Sequence, residues 1–175
     1  MIRLILLVCT GNTCRSPMAQ GILKKLLQER GKNYASLYNI QSAGISTVPG
    51  MSPTTEAVKV MSEQGMDISS HRSQQLGEDL VKSADLILVM TWEHKKYLQK
   101  QYPFAQEKVF LIKELAQSKY YGDYDKNNDE VKKLEILDPL GKPISFYRAA
   151  AQDLKINLEK ITDIIIKETI RIRKE

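Results

Sequence analysis

Cysteine is nearly missing from this sequence. Of 175 residues only Cys9 and Cys14 carry a thiol, and both fall in one short stretch. A secreted fold built on disulfides is therefore excluded. Histidine is as scarce: His71 and His94 are the two present, and they are scattered, so a four-ligand zinc site has no ligand set. Long apolar runs are missing too. The apolar start Leu4-Ile5-Leu6-Leu7-Val8 is too short to span a bilayer. Polar residues follow it instead of a small-residue cleavage site, Ile2 stands where a lipidated Gly would, and the C-terminus has no Cys. These absences predict a reducing, cytoplasmic setting and no membrane attachment.

What is present is ordinary globular composition. Hydrophobic residues make up 42% and charged residues 27%, which excludes collagen-like and wholly disordered chains. The length suits one domain over residues 1–175. Such a domain buries roughly 70% of its unfolded surface and needs no disulfide or metal staple. The charge is +5, from 26 basic and 21 acidic residues. That permits an anionic partner without identifying one. No Lys/Arg cluster is interleaved with aromatics, so no nucleic-acid surface is read. The C-terminal Arg171, Arg173 and Lys174 read as a solvated helix end, where cations suit the dipole.

Periodicity sets the fold class. Residues 2–8 form an apolar run broken only by Arg3, as in a buried parallel strand. A polar loop follows at 9–16, and Pro17 fits the first turn of a helix. Ile22, Leu23, Leu26 and Leu27 repeat at helical spacing toward a stop at Gly31. A second strand is predicted at 37–42 and a helix at 53–64 that ends at Gly65. Then come an apolar strand at 84–90, a helix at 93–100, a short strand at 109–112 and a long helix at 145–170. Strands alternating with helices predict a three-layer α/β open sandwich: a central four-stranded parallel sheet with helices on both faces. Residues 116–137 are polar and turn-rich. They read as a surface loop, or as a loop walling an active site.

The loop Cys9-Thr10-Gly11-Asn12-Thr13-Cys14-Arg15-Ser16 lies between the first strand and the first helix. Ligands of open α/β sheets bind beyond the carboxyl ends of strands. A loop there aims several backbone N–H groups at one point, and the following helix N-terminus adds positive charge. Gly11 and Asn12 tolerate left-handed backbone. Cys9 enters that field first, and such a field favours the thiolate. Arg15 offers bidentate hydrogen bonds to phosphate oxygens. A Walker loop is excluded, because the one Gly-Lys pair is followed by Pro143, and a redox Cys-x-x-Cys pair is absent. Nucleophile, anion cradle and Arg together describe phosphoryl transfer through a cysteinyl-phosphate. The acid that protonates the leaving group is read as Asp138, stiffened by Pro139.

Cys9 to Ser16 with the late Asp138-Pro139 resembles the low-molecular-weight protein tyrosine phosphatase family, over nearly the whole chain. Gln41-Ser42-Ala43-Gly44, the stretch Gly65 to Ser73 and the stretch Ala84 to Thr91 carry the likeness as well. The resemblance implies Cys9 as nucleophile, Arg15 as phosphate clamp and Asp138 as acid, then as base toward water. It implies that Ser16 hydrogen-bonds the Cys9 sulfur, and that Asn12, Ser42 and His71 brace the loop. Thr13 resembles the protein arginine phosphatase branch, where that Thr is thought to orient the hydrolytic water and to favour a guanidinium. Tyrosine-specific relatives typically carry two Tyr after Asp-Pro. Here Leu140 and Gly141 follow, and Leu140 also departs from the Phe of the arginine branch. One of Tyr120, Tyr121 or Tyr124 is then a candidate for the missing aromatic wall.

The leading expectation is a protein phosphatase acting on phosphoarginine, with phosphotyrosine as the alternative. Phosphorylated proteins are the expected partners and inorganic phosphate the product, with the chain working as a monomer. A thiol-relay arsenate reductase needs further cysteines downstream, and none follows Cys14. A binding module without catalysis would not need Cys9, Arg15 and Asp138 together. No metal or organic cofactor is called for, since Arg15 and backbone N–H groups supply the charge stabilisation. Cys14 reads either as a small buried loop residue or, as the resemblance implies, as a trap for oxidised Cys9.

Overall fold

The computed structural model describes residues 2–117 and 132–172. The first strand, β1 (Leu4–Cys9), lies at the middle of a four-stranded sheet of order β2-β1-β3-β4. Its neighbours are β2 (Asn39–Gly44) and β3 (Leu86–Val89), and β4 (Val109–Leu111) closes the far edge. All three pairings are parallel. The connection leaves β1, returns on one side as β2, and then crosses to the other side as β3. The loop after β1 therefore sits at the point where strand order reverses, the usual ligand crevice of an open α/β sheet.

Both faces of β1 are covered, which is why its sequence does not alternate with polar residues. Ile5, Leu7 and Cys9 point into one core with Met18, Leu23 and Leu158. Leu4, Leu6 and Val8 point into the other with Trp92 and Leu98. Each fully buried Leu or Ile side chain contributes about 1.5–3 kcal/mol of transfer free energy. The first core is roofed by α1 (Arg15–Arg30), α3 (Thr55–Glu63), α6 (Ile112–Ala116) and α7 (Ile144–Ile172). The second is roofed by α4 (Glu78–Ser83) and α5 (Trp92–Gln101). A short helix, α2 (Lys32–Leu37), leads into β2, and a 3-10 segment, Pro103–Lys108, leads into β4.

The expected three-layer sandwich is therefore present, with every expected strand and helix within about two residues of its expected bounds. Three short helices, α2, α4 and α6, were not expected. The reading of 116–137 as one surface loop needs correction at both ends. Ala116 closes α6, and Leu134 and Ile136 are buried; Ile136 donates its amide to Met90 O at 2.8 Å. Tyr120, Tyr121 and Tyr124 lie outside the described residues.

Two features fix the rim of the crevice. Lys95 of α5 and Glu114 of α6 form a buried ion pair at 2.8 Å, and Glu114 also accepts from the Leu111 amide at 3.0 Å. Gly44, at the end of β2, lies against the loop after β1: a Cβ there would stand 2.6 Å from Thr10 O and 3.1 Å from Asn12 N. Both are backbone atoms, so the sheet edge and the loop would have to separate. Gly44→Ala is expected to cost about 1–3 kcal/mol of stability, as overpacking does. Urea denaturation checks this, and an unchanged midpoint would show that the loop yields freely.

Candidate active site

β1 ends at Cys9 and α1 begins at Arg15, so the intervening loop must turn sharply. Asn12 makes the turn with φ 52, a left-handed conformation that Asn tolerates better than most residues. Its amide N–H then points back at Cys9 Sγ, 3.3 Å away. Ser16, in the first turn of α1, places its hydroxyl 3.0 Å from the same sulfur. Cys9 is thus met by two hydrogen-bonding groups in a buried setting. Cys14 caps α1 without any side-chain hydrogen bond, and no acidic residue stands in the first turn. The positive end of the helix is left for an anion.

Asn12 is wholly buried, and every polar atom of its side chain is used. Its Nδ2 donates to Ser16 Oγ at 2.8 Å and to Ser42 Oγ at 3.0 Å, and its Oδ1 accepts from the Gln74 amide at 2.9 Å. Ser42 in turn donates to Gln20 Oε1 at 2.7 Å. His71 Nε2 donates to Asn12 O at 2.9 Å, which fixes its tautomer, since a carbonyl only accepts. Burial lowers the His71 pKa, assisted by Lys24 and Arg72, so the ring is held neutral. Thr47 donates to Gly11 O at 2.7 Å from a third direction.

Arg15 is buried, yet Asp138, with which it pairs, is half exposed. Its Nη1 donates to Ile136 O at 3.2 Å and its Nη2 to Asp138 Oδ2. Its Nε is buried with no partner among the described residues. One arm of the guanidinium fork is therefore engaged within the chain. One arm holds a carboxylate and one buried N–H stays unsatisfied, a costly state that an entering oxyanion would relieve. Asp138 Oδ1 accepts from the Leu140 amide at 3.1 Å. The turn Pro139-Leu140-Gly141-Lys142 closes through Lys142 N to Pro139 O at 3.0 Å, and Gly141 has φ 73. A positive φ at the third turn position favours Gly, so a second aromatic after Asp-Pro would strain this turn. Leu140 is 58% exposed, and Thr13, half-buried in the loop, holds Thr54 N through its carbonyl at 2.9 Å.

The structure thus brings together Cys9, Asn12, Arg15, Ser16, Ser42, His71 and Asp138, with Thr10, Gly11, Thr13 and Cys14 in the loop and Leu140 beside Asp138. Cys9 and Cys14 are both free thiols. Burial pushes the Cys14 pKa up to about 12, with the neighbouring Cys9 and Asp138 adding to the effect. Sequence reasoning missed Gln20, Thr47, Gln74 and His94. Gln20 follows Ser16 by one helical turn, a usable signal. His94 had one as well: Thr91-x-x-His94 follows an apolar strand directly, the spacing of a helix cap at the ligand end of the sheet. His94 Nε2 lies 2.9 Å from Thr10 Oγ1, and its Nδ1 accepts from the Thr91 amide at 3.2 Å.

With this geometry in place, similarity to known proteins is informative. The profile of the family described as "Low molecular weight phosphotyrosine protein phosphatase" matches residues 4–171. The chain belongs to this family, whose members are cysteine-dependent phosphatases. It is 34% identical over 164 residues to "Protein-arginine-phosphatase" of Bacillus subtilis, covering 94% of this chain and 97% of that one. It is 42% identical over 152 residues to "Probable low molecular weight protein-tyrosine-phosphatase EpsP" of Ralstonia nicotianae, covering 87% and 88%. The solved "YwlE arginine phosphatase from Geobacillus stearothermophilus" superposes with a TM-score of 0.79 at 31% identity, covering 97% of this chain and 96% of that one.

His94 also gives the site a pH signature. Burial, with Arg15 nearby, lowers its pKa from 6.5 to about 4. The unfolded chain therefore binds a proton between these values that the folded chain does not. Stability is full above pH 6.5, falls as pH drops toward 4, and levels off below, a loss of about 3 kcal/mol. His71 acts in the same direction. Urea unfolding of the parent and of His94→Asn is expected to show a shallower acid loss in the variant. Equal slopes would contradict the assignment.

Proposed function

We propose that this phosphatase hydrolyses phosphoarginine on proteins through a cysteinyl-phosphate. Cys9 Sγ attacks phosphorus while the bond to the guanidino nitrogen breaks, and Asp138 gives that nitrogen its proton. Loop N–H groups and Arg15 hold the three remaining oxygens. Asp138, now a carboxylate, takes a proton from water, which attacks phosphorus. Cys9 leaves as thiolate, received by Ser16 and the Asn12 amide, and inorganic phosphate departs. In the resting protein Asp138 answers Arg15 as an internal anion. A substrate dianion takes over the guanidinium, including the unpartnered Nε, and Asp138, released from Arg15, takes up a proton from solvent and carries it to the leaving group. Asn12, Ser42 and His71 hold the loop in shape.

The observation that carries the arginine assignment is the pair Thr13 and Leu140-Gly141. Thr13 Oγ1 has no hydrogen-bond partner among the described residues and lies over Gly11, 3.5 Å from where a Cβ would stand. It is free to accept from a guanidinium or to orient water. The turn after Asp138 offers Leu140 and a Gly with positive φ where a phenyl ring would want two aromatic walls. The phosphotyrosine reading rests on the higher identity to the Ralstonia relative. The proposal takes residues 1–175 as one catalytic domain that works as a cytoplasmic monomer without metal or organic cofactor. It takes Cys14 as the residue that traps oxidised Cys9.

Two measurements test this. Matched phosphoarginine and phosphotyrosine peptides are expected to give a kcat/KM at least tenfold higher for phosphoarginine, and Thr13→Ile to shrink that ratio; a parent preference for phosphotyrosine would sink the arginine assignment. Asp138→Asn is expected to lower kcat about 10²–10³-fold, the usual contribution of a general acid. Unchanged turnover would remove Asp138 from that role.

A further inference from the structure

His94 is buried and polar, and the chemistry above does not use it. Its two nitrogens are nevertheless committed in a way that fixes its state. Nδ1 receives the Thr91 amide N–H at 3.2 Å, with Thr91 Oγ1 2.9 Å away. A nitrogen that accepts an amide N–H carries no proton, so the proton of the neutral ring is on Nε2. Nε2 faces Thr10 Oγ1 at 2.9 Å and must donate to it. One ring therefore closes a capping box at the start of α5 and grips the first residue of the phosphate loop.

Thr10 is the residue that most needs a grip. It follows the nucleophile directly. Its carbonyl accepts from Ser46 N at 3.0 Å and lies where a Cβ on Gly44 would collide. Asn12, Ser42, His71 and Gln74 hold the loop from the β2 side, and Thr47 holds Gly11. From the β3 side the side-chain bond on Thr10 comes from His94. The Arg15 guanidinium and the Asp138 carboxylate both act on the ring electrostatically.

We infer that His94 is a positioning residue for the phosphatase reaction. As its Nε2–H tautomer it fixes Thr10, and through Thr10 it holds the backbone N–H groups beside Cys9 at the geometry of the transferring phosphoryl group. The inference rests on the phosphatase reading of the loop and is independent of whether arginine or tyrosine carries the phosphate.

Two substitutions separate this role from simple helix capping. His94→Asn retains an oxygen to accept the Thr91 amide but is too short to reach Thr10. Thr10→Val removes the acceptor and leaves His94 and the capping box in place. Turnover of a small aryl phosphate by parent, both single variants and the double variant makes a closed cycle. Each single change is expected to lower kcat about tenfold, the scale of one lost hydrogen bond, with KM less affected. The double variant is expected to be no slower than the slower single, because both remove the same contact. Thr10→Val, which keeps the capping box, is expected to lower the unfolding midpoint less than His94→Asn does. Effects that multiply in the double variant, or a Thr10→Val kcat equal to the parent, would overturn the inference. An absence of turnover by the parent on every phosphate ester would instead sink the phosphatase reading itself.

Discussion

One buried amide decides the shape of this site. Asn12 leaves the ordinary backbone regions so that its N–H meets the Cys9 sulfur, and its side chain joins Ser16, Ser42 and the Gln74 amide in a single hub. Each of these partners is itself anchored to a rigid element: α1, β2 and the strap that follows α3. A buried polar hub is worthwhile only when every member is satisfied, and this one is. A hydroxyl or carboxamide lost from it would leave the others buried without partners. The shape of the loop after β1 depends on this hub, and so does the aim of the Cys9 sulfur.

Much of the architecture is legible in the sequence because it rests on local signals. The doubly covered β1 reads as an apolar run, α1 is announced by Pro17 and closed at Gly31, and α7 repeats over eight turns. Cys9, Arg15 and Ser16 are adjacent in sequence, so the loop announces its own chemistry. Asp138 is 129 residues away from Cys9. Its place is legible through Pro139 and the family likeness, not through periodicity.

What escapes is non-local or too short. The helices α2 and α4 span six residues each and α6 five, less than two turns, so no hydrophobic period develops. Lys95 and Glu114 are 19 residues apart in the chain, and only packing buries them together. Gln74 reaches the loop from 62 residues away with nothing local to mark it, and His94 from 84, marked only by its cap spacing after β3. The segment 116–137 misleads in a different way: its polar centre hides Leu134 and Ile136 at its end, two core residues with no repeat to reveal them.

The resting pair between Arg15 and Asp138 has a consequence for traffic through the site. Any anion that enters competes with a tethered carboxylate whose effective concentration no dilution can lower. Affinity for small anions is discounted by the fraction of time the guanidinium is released. A phosphorylated protein offsets that discount with contacts beyond the phosphate, whereas free inorganic phosphate has none to offer. The protein thus holds its own eviction agent, which favours departure of the product over its retention.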